Sequence, residues 1–270
     1  MAIARLTELS IYPVKSARAI ALKTSAVGQR GLMGDRDWML VDTRGRFASQ
    51  RTLPQMAQLI AVYTLKGLAL TFDGHGSIEV AIPQFGDWCD VDVWGDPVRA
   101  RDAGDVAARF LSAALKAQLR LVWMPPETIR PVDPTYAGRE DLPISFADGF
   151  PILIANQASL DDLNQRLPSP IPMARFRPNL VIEGWPAFAE DDIRHIRCGE
   201  VELLLVKPCT RCSIPARDHL SGEWALDPTP VLKSFRYDRT LKGVTFGVNA
   251  LVLGQSASRL ALGDSVQVLD

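Results

Sequence analysis

The chain has 270 residues, of which 47% are hydrophobic and 23% charged, as is typical of a globular protein with one large or two modest domains. Thirty Lys and Arg residues almost balance 31 Asp and Glu residues, and the net charge of -1 argues against a nucleic-acid partner while leaving room for a local basic pocket. The sequence shows neither a signal peptide nor an apolar run of roughly 18 residues, so we expect a cytoplasmic protein with no membrane partner.

The first part of the chain is predicted to consist of short strands. Apolar segments are separated at close spacing by Gly, Asp and Pro, which favours a compact β barrel or sandwich. One helix is predicted over residues 104–116, because Val106, Phe110, Leu111 and Leu115 recur at helical spacing. The predicted strands span residues 3–12, 37–42, 59–65, 68–72, 77–82, 91–93 and 119–124.

Residues 125–142 are predicted to connect two lobes. The segment opens with two prolines, also contains Pro131, Pro134 and Gly138, and shows no periodicity. A segment of this length without regular structure is usually functional or mobile. We therefore expect an N-terminal β-barrel-like domain over residues 1–124 and a second domain over residues 143–270.

The second part is again rich in strands, which are predicted at residues 180–183, 201–206, 247–253 and 265–269. Two short helices interrupt them. The first is predicted over residues 160–167 with Ser159 as its N-cap, and the second over residues 231–235 after Thr229 and Pro230. The predicted fold class is therefore mainly β with some α (α+β).

The cysteines provide the first indication of chemistry. Cys89, Cys198, Cys209 and Cys212 are too few and too irregularly spaced for a disulfide scaffold. Cys89 and Cys198 lie in apolar or strand-like contexts, where cysteine usually packs as a small hydrophobic residue. Cys209 and Cys212 lie in the segment Lys-Pro-Cys-Thr-Arg-Cys, directly after an apolar strand, and this pair is the candidate for function.

Several interpretations of this pair are open. A zinc site needs two further ligands, but the remaining His and Cys residues are scattered. A thioredoxin-like redox pair lies at a helix N-terminus, whereas Pro215 and the polar stretch after it do not indicate a helix. A single thiolate at Cys212, beside Arg211 and near Lys207, would suit a soft or high-valent metal. Both cysteines could also simply pack at a strand end, and the hexapeptide alone does not decide.

Three other segments place basic and polar residues at predicted strand ends. They are Tyr-Pro-Val-Lys-Ser at residues 12–16, Gly-Asp-Arg-Asp-Trp at 34–38 and Arg-Phe-Arg-Pro-Asn at 175–179. Each is ordinary by itself, because charged residues often mark solvated strand ends. Together they could supply Lys, Arg, Ser and Asn donors to a polyanionic ligand, and the guanidinium fork suits phosphate.

The order of these segments and of the cysteine motif resembles the MOSC family with its N-terminal β-barrel domain, in particular the mitochondrial amidoxime-reducing component and its bacterial homologues. The similarity covers nearly the whole chain, and the cysteine motif is its most specific element. The resemblance implies that the second lobe is a MOSC β barrel. It also implies a molybdenum cofactor, Mo-molybdopterin, held in a cleft between the lobes.

The resemblance implies roles for individual residues. Cys212 would be the catalytic residue and the protein ligand of the molybdenum, whereas Cys209 is not expected to bind the metal. Asp148 is matched with less certain alignment than the other positions. The implied cofactor-binding residues are Lys15, Ser16, Arg36, Asp148, Arg177, Asn179, Thr210 and Arg211.

The implied function is a molybdenum-cofactor-dependent oxidoreductase that removes oxygen from small N-hydroxylated compounds. The alternatives are a cofactor carrier or sulfur-transfer module without its own turnover, and a two-lobed binding protein with a structural zinc. Many bacterial homologues carry a C-terminal ferredoxin-like domain with four cluster cysteines, and no such pattern precedes Asp270. We therefore expect no iron–sulfur cluster in this chain and a separate electron-donor protein of ferredoxin or flavoprotein type.

Overall fold

The computed structural model describes residues 4–138, 142–254 and 258–269, and strands dominate this part of the chain. The strands are β1 (Ala4–Ile11), β2 (Ile20–Ala21), β3 (Thr24–Gly28), β4 (Gly31–Leu32), β5 (Trp38–Val41), β6 (Ile60–Tyr63), β7 (Gly67–Phe72), β8 (Gly76–Ala81), β9 (Trp88–Val93), β10 (Asp96–Asp102), β11 (Arg120–Trp123), β12 (Ile152–Asn156), β13 (Leu180–Glu183), β14 (His195–Cys198), β15 (Val201–Thr210), β16 (Tyr237–Asp238), β17 (Gly243–Leu253), β18 (Ser258–Ala261) and β19 (Ser265–Val268). The helices are α1 (Asp105–Leu115), α2 (Pro134–Ala137), α3 (Gln157–Arg166) and α4 (Thr229–Arg236).

The largest sheet closes into a seven-stranded barrel. Its strands follow the order β12-β13-β1-β19-β14-β15-β17, and pairing of β17 with β12 completes the ring. The β12–β13 pair is parallel, whereas the other pairs of the ring are antiparallel. Closing the ring leaves its strands without free edges. The predicted class, mainly β with some α, and the predicted barrel in the second part of the chain are confirmed.

The first strand belongs to this barrel, although it is far in sequence from its neighbours. β1 pairs with β13 on one side and with β19 on the other, and Leu6 lies opposite Ile182. Leu6 is fully buried and shares a core cluster with Ile182 and Val266. β3 likewise pairs with β18. Residues from both ends of the chain therefore build one hydrophobic core.

The other lobe packs two small sheets against helix α1. One sheet has the order β5-β11-β10-β9 and the other β6-β7-β8. Helix α1 buries Ala107, Leu111 and Leu115, which lie on one face at helical spacing, in the same cluster as Leu68 and Leu121. This agrees closely with the helix predicted over residues 104–116.

Some elements differ from the sequence prediction. β10 was not predicted, although the buried Val98 and Ala100 alternate with charged residues, which is the pattern of a half-buried strand. The predicted N-cap at Ser159 is wrong. Helix α3 begins earlier, with Asn156 accepting from the amide of Ala158, while the buried Ser159 hydroxyl donates to Glu190. The Ser159 side chain, which the local sequence predicts as a helix cap, makes a tertiary hydrogen bond to Glu190 instead.

The predicted connection between the lobes contains a short helix, α2. Before this helix, Pro131 forms an isolated antiparallel β-bridge with Pro143. Residues 139–141 of this connection lie outside the described residues, as do Ile3 and the terminal Asp270. How far residues 1–124 and 143–270 fold as separate domains stays a prediction. Among the described residues, no helix is long and apolar enough to span a bilayer.

Replacing Leu6 with alanine should destabilise the protein because β1 supplies side chains to the barrel core. We expect Leu6→Ala to lower the free energy of unfolding by about 2–5 kcal/mol, the usual cost of a buried Leu-to-Ala change. Leu65→Ala is the matched control, since Leu65 is fully exposed in a turn, and should cost less than about 0.5 kcal/mol. Urea denaturation followed by circular dichroism measures both, and equal stability of the two variants would contradict the placement of β1.

Candidate functional site

A single cleft between the barrel and the other lobe collects all the residues that the sequence predicted for the site. They come from the segments after β1 and β4, from the loop before β12, from the segment before β13 and from the end of β15. Because these segments are far apart in sequence, only the closed barrel brings them together. The predicted residues that line the cleft are Lys15, Ser16, Arg36, Asp148, Arg177, Asn179, Thr210, Arg211 and Cys212.

Three of these residues have left-handed backbone conformations. The φ angles are 65° at Ser16, 56° at Arg36 and 56° at Arg177. Such conformations are uncommon for residues other than glycine and cost about 1–3 kcal/mol each. At Arg36 the neighbouring backbone enforces it, since its amide donates to the Tyr12 carbonyl (2.8 Å) and its carbonyl accepts from the amide of Phe146 (3.0 Å). Strain of this kind tends to occur at functional sites.

Two cleft arginines enclose the ring of Tyr12. The guanidinium carbons of Arg36 and Arg177 lie 4.5 and 4.1 Å from the ring centroid. The Tyr12 hydroxyl donates to the carbonyl of Pro178 (3.1 Å), and burial raises the pKa of Tyr12 to about 12. The phenol therefore stays neutral, and its ring offers a cation–π contact to both guanidinium groups. Tyr12 lies in a motif that the sequence singled out, but its role between the arginines was missed.

The cleft arginines keep buried donors that no described residue satisfies. Nη2 of Arg177 and Nε of Arg211 are buried and have no hydrogen-bond partner in the described part of the chain. Burial lowers the pKa of Arg177 to about 10, with Tyr12 opposing and Arg36 adding to the effect, so this arginine remains charged at neutral pH. A buried cationic donor without an acceptor is costly. An anionic ligand in the cleft would relieve that cost.

Lys15 and Asp148 form an ion pair at the edge of the cleft. Lys15 Nζ donates to Asp148 Oδ1 (2.5 Å) and to the carbonyl of Phe146 (2.7 Å), and Trp94 Nε1 donates to the same carboxylate oxygen (3.0 Å). Burial lowers the pKa of Lys15, and the attraction of Asp148 opposes this. Desolvation acts to raise the pKa of Asp148, but Lys15, Trp94 and Arg36 together hold it below its usual range. Asp148 is therefore a carboxylate near neutral pH.

Asn179 connects segments rather than presenting free donors. Its side-chain oxygen accepts from the amide of Leu153 (3.1 Å) and from Arg36 Nη1 (3.3 Å), and its amide nitrogen donates to the carbonyl of Ser10 (3.1 Å). Gln50 also lines the cleft and donates to the carbonyl of Ser16 (2.8 Å). No pattern in the sequence around Gln50 pointed to this contact, which depends on the packing of the lobes.

The two cysteines of the motif both line the cleft. Both are free thiols, and Cys212 is exposed whereas Cys209 is partly buried. Arg211 Nη1 lies 3.0 Å from Cys209 Sγ, and its Nη2 donates to the carbonyl of Phe176 (2.7 Å). Beyond Cys212 the chain forms a short 3-10 turn at Ile214–Ala216, so the geometry of a thioredoxin-like helix N-terminus is not present. Within the described residues no three His, Cys, Asp or Glu side chains form a metal-binding group, and the zinc hypothesis finds no ligand set there.

The fold and the cleft define a two-lobed β protein with a cation-rich cleft and an accessible cysteine. Comparison with protein families gives this class a name. Residues 3–118 match the MOSC N-terminal beta barrel domain, and residues 141–267 match the MOSC domain. The chain belongs to the MOSC family, as its motifs predicted.

Curated relatives extend along most of the chain. It is 32% identical over 265 residues to Mitochondrial amidoxime-reducing component 1 of Xenopus laevis, covering 93% of this chain and 76% of the relative. Identity to the Homo sapiens protein of the same name is 31% over 281 residues, covering 98% and 82%. The chain is also 26% identical over 264 residues to Molybdenum cofactor sulfurase of Oryza sativa, covering 90% of this chain but 32% of that longer protein.

The cleft should bind inorganic pyrophosphate, and Arg177 should contribute a large share of that affinity. Charge-assisted hydrogen bonds contribute about 1.5–3 kcal/mol, so Arg177→Gln should weaken binding roughly 10- to 100-fold. Arg166→Gln is the matched control, because Arg166 is paired with Asp162 on the surface of helix α3. Isothermal titration calorimetry at low ionic strength measures the three affinities. A loss of the same size in both variants would count against the cleft as an anion site.

The Lys15–Asp148 pair should make stability depend on pH. A carboxyl whose pKa is lower in the folded protein contributes stability above its unfolded pKa of about 4 and loses that contribution as the pH falls towards the folded value. Asp148→Asn should therefore be less stable than the wild type at pH 7, and the difference should shrink below about pH 4. Urea denaturation across this range measures it. A difference that grows on acidification would show that the pair does not stabilise the fold.

Proposed function

We propose that this chain binds Mo-molybdopterin in the cleft, with Cys212 as the protein ligand of the molybdenum, and reduces small N-hydroxylated compounds. One observation carries the proposal: the exposed Cys212 shares its cleft with buried donors of Arg177 and Arg211 that have no partner among the described residues. A thiolate suits a high-valent metal, and the arginine donors suit a phosphate. The names of the curated relatives support the same assignment.

The residues of the cleft fit the chemistry of this cofactor. Its phosphate and its pterin need cations and hydrogen-bond donors from several directions, and these are available at Arg36, Arg177 and Arg211 together with the hydroxyls of Ser16 and Thr210. Asn179 supports the arrangement by accepting a hydrogen bond from the Arg36 guanidinium and by joining the backbone at Ser10 and Leu153. When bound, the cofactor supplies the two-electron chemistry that takes oxygen from an N–OH group and yields the amine or amidine and water.

Asp148 is the group of this chain that a substrate would meet at the rim. Its side chain is 78% exposed, while that of Lys15 beneath it is 4% exposed. Because its pKa lies below the usual range, Asp148 is a carboxylate at neutral pH and accepts hydrogen bonds rather than donating a proton. In the proposed reaction it attracts and orients donors such as the N–H and O–H groups of the substrate.

Electrons come, in this proposal, from a separate donor protein of ferredoxin or flavoprotein type, and the reaction takes place in the cytoplasm. The similarity to the rice sulfurase favours one alternative, in which the same cleft carries the cofactor or transfers sulfur without turning over a substrate. Turnover separates the two functions, because a carrier binds the cofactor but does not reduce an N-hydroxylated compound.

Molybdenum content should depend on Cys212. Protein produced with an intact cofactor pathway should contain near-stoichiometric molybdenum, and Cys212→Ser should lose most of it because the thiolate ligand is removed. Cys209→Ser is the matched control, since Cys209 lies three residues away in the same motif and is not assigned as a ligand. Elemental analysis measures the metal in all three proteins. Equal molybdenum in wild type and Cys212→Ser would overturn the ligand assignment.

The loaded protein is then tested for reduction of an aromatic amidoxime with a chemically reduced viologen as electron donor. The proposed reductase should form the amidine in the wild type and in Cys209→Ser, but not in Cys212→Ser. A wild-type protein that contains molybdenum but forms no amidine would contradict the reductase proposal and support the cofactor carrier.

A further inference from the structure

A second and larger cavity lies on the other side of the segment that carries Arg36. It has a volume of about 890 Å³, within the range of about 300–1,000 Å³ that is usual for small-molecule sites. Its walls come from β4, β6 and β11 and from the predicted connection between the lobes. Most of the lining is apolar and includes Leu32, Met33, Ile82, Trp123 and Ile129.

The lining contains one carboxylate with spare hydrogen-bonding capacity. Asp37 Oδ2 accepts a long hydrogen bond from the Tyr63 hydroxyl (3.4 Å), and no described residue donates to its Oδ1. Arg30 is also in the wall, but its Nη2 already donates to the carbonyls of Pro125 (3.2 Å), Pro126 (3.0 Å) and Thr128. Asp37 is therefore the group most able to take a hydrogen bond from a ligand.

We propose that this cavity binds an organic cation, a small molecule with an apolar ring body and one ammonium group that pairs with Asp37. The apolar walls would cover the ring body and remove it from water. The ammonium would donate to Asp37 Oδ1, and charge-assisted hydrogen bonds of this kind are the strong ones in proteins. The site has a different lining from the cation-rich cleft, and it does not depend on the proposed function.

The ionisation of Asp37 makes the proposed binding sensitive to pH. Burial raises the pKa of Asp37 to about 6, Arg30 and Tyr63 oppose this, and Asp35 adds to it. Burial also raises the pKa of Tyr63, so Tyr63 is neutral and Asp37 is mainly ionised above pH 6. An ammonium ligand binds the ionised carboxyl, and its affinity should therefore fall as the pH drops from 7.5 to 5.

The test compares two probes of nearly the same shape, 1-naphthylmethylamine and 1-naphthylmethanol, by isothermal titration calorimetry. At pH 7.5 the wild type should bind the amine at least 10-fold more tightly than the alcohol, and at pH 5 this preference should shrink. Asp37→Asn should remove the preference while alcohol binding persists, which also shows that the variant is folded. Asp148→Asn removes the carboxylate of the other cleft and should leave the preference unchanged.

A second pair of variants locates the probes without altering the carboxylate. Ile129→Arg places a charged side chain in the cavity lining, and should weaken both probes at least 10-fold. Val106→Arg, at an exposed position on helix α1, should change neither. The proposal is overturned if the wild type fails to prefer the amine, if the preference survives in Asp37→Asn, if Asp148→Asn removes it, or if Ile129→Arg binds both probes as the wild type does.

Discussion

The defining feature of this structure is the concentration of positive charge in the cleft between its lobes. The guanidinium groups of Arg36 and Arg177 both contact the ring of Tyr12, and Lys15 is buried nearby. Burying like charges together is unfavourable unless other groups compensate. Asp35 pairs with Arg36 and Asp148 pairs with Lys15, while the neutral ring of Tyr12 offers a cation–π contact to each guanidinium group. The barrel supplies the rigid frame that holds this arrangement before any ligand arrives.

Part of the backbone strain in this structure coincides with the cleft. Ser16, Arg36 and Arg177 adopt left-handed conformations, and the side chains of all three line the cleft. Each lies just beyond a strand or a turn, where tertiary hydrogen bonds can enforce the conformation. The strained backbone at these positions lowers the stability of the fold. In return, the cationic donors are held in place before binding, which reduces the free-energy cost of binding an anion.

The segment at residues 34–38 separates two cavities of opposite character. Arg36 faces the cation-rich cleft, whereas its neighbour Asp37 lines the apolar cavity. Residues 33–36 form a turn in which Arg36 is left-handed, and this turn lets the neighbouring side chains of Arg36 and Asp37 reach different cavities. Tyr63 fixes one end of the segment by donating to the carbonyl of Gly34 (3.1 Å), and the amide of Met124 donates to the carbonyl of Asp37 (2.9 Å). The two cavities therefore share a wall that is held by hydrogen bonds from the other lobe.

The fold class, the helix α1 and the motifs that meet in the cleft could be predicted from the sequence, because periodicity and residue chemistry are properties of short segments. The sequence could not place β1 between β13 and β19, assign Ser159 to Glu190 rather than to a helix cap, or bring Gln50 to Ser16. These contacts join residues that are distant in sequence, and their partners are set by closure of the barrel and by packing of the lobes. The tertiary structure is therefore needed to show which charges face one another, which donors have no partner among the described residues, and that Asp37 lies in a separate cavity.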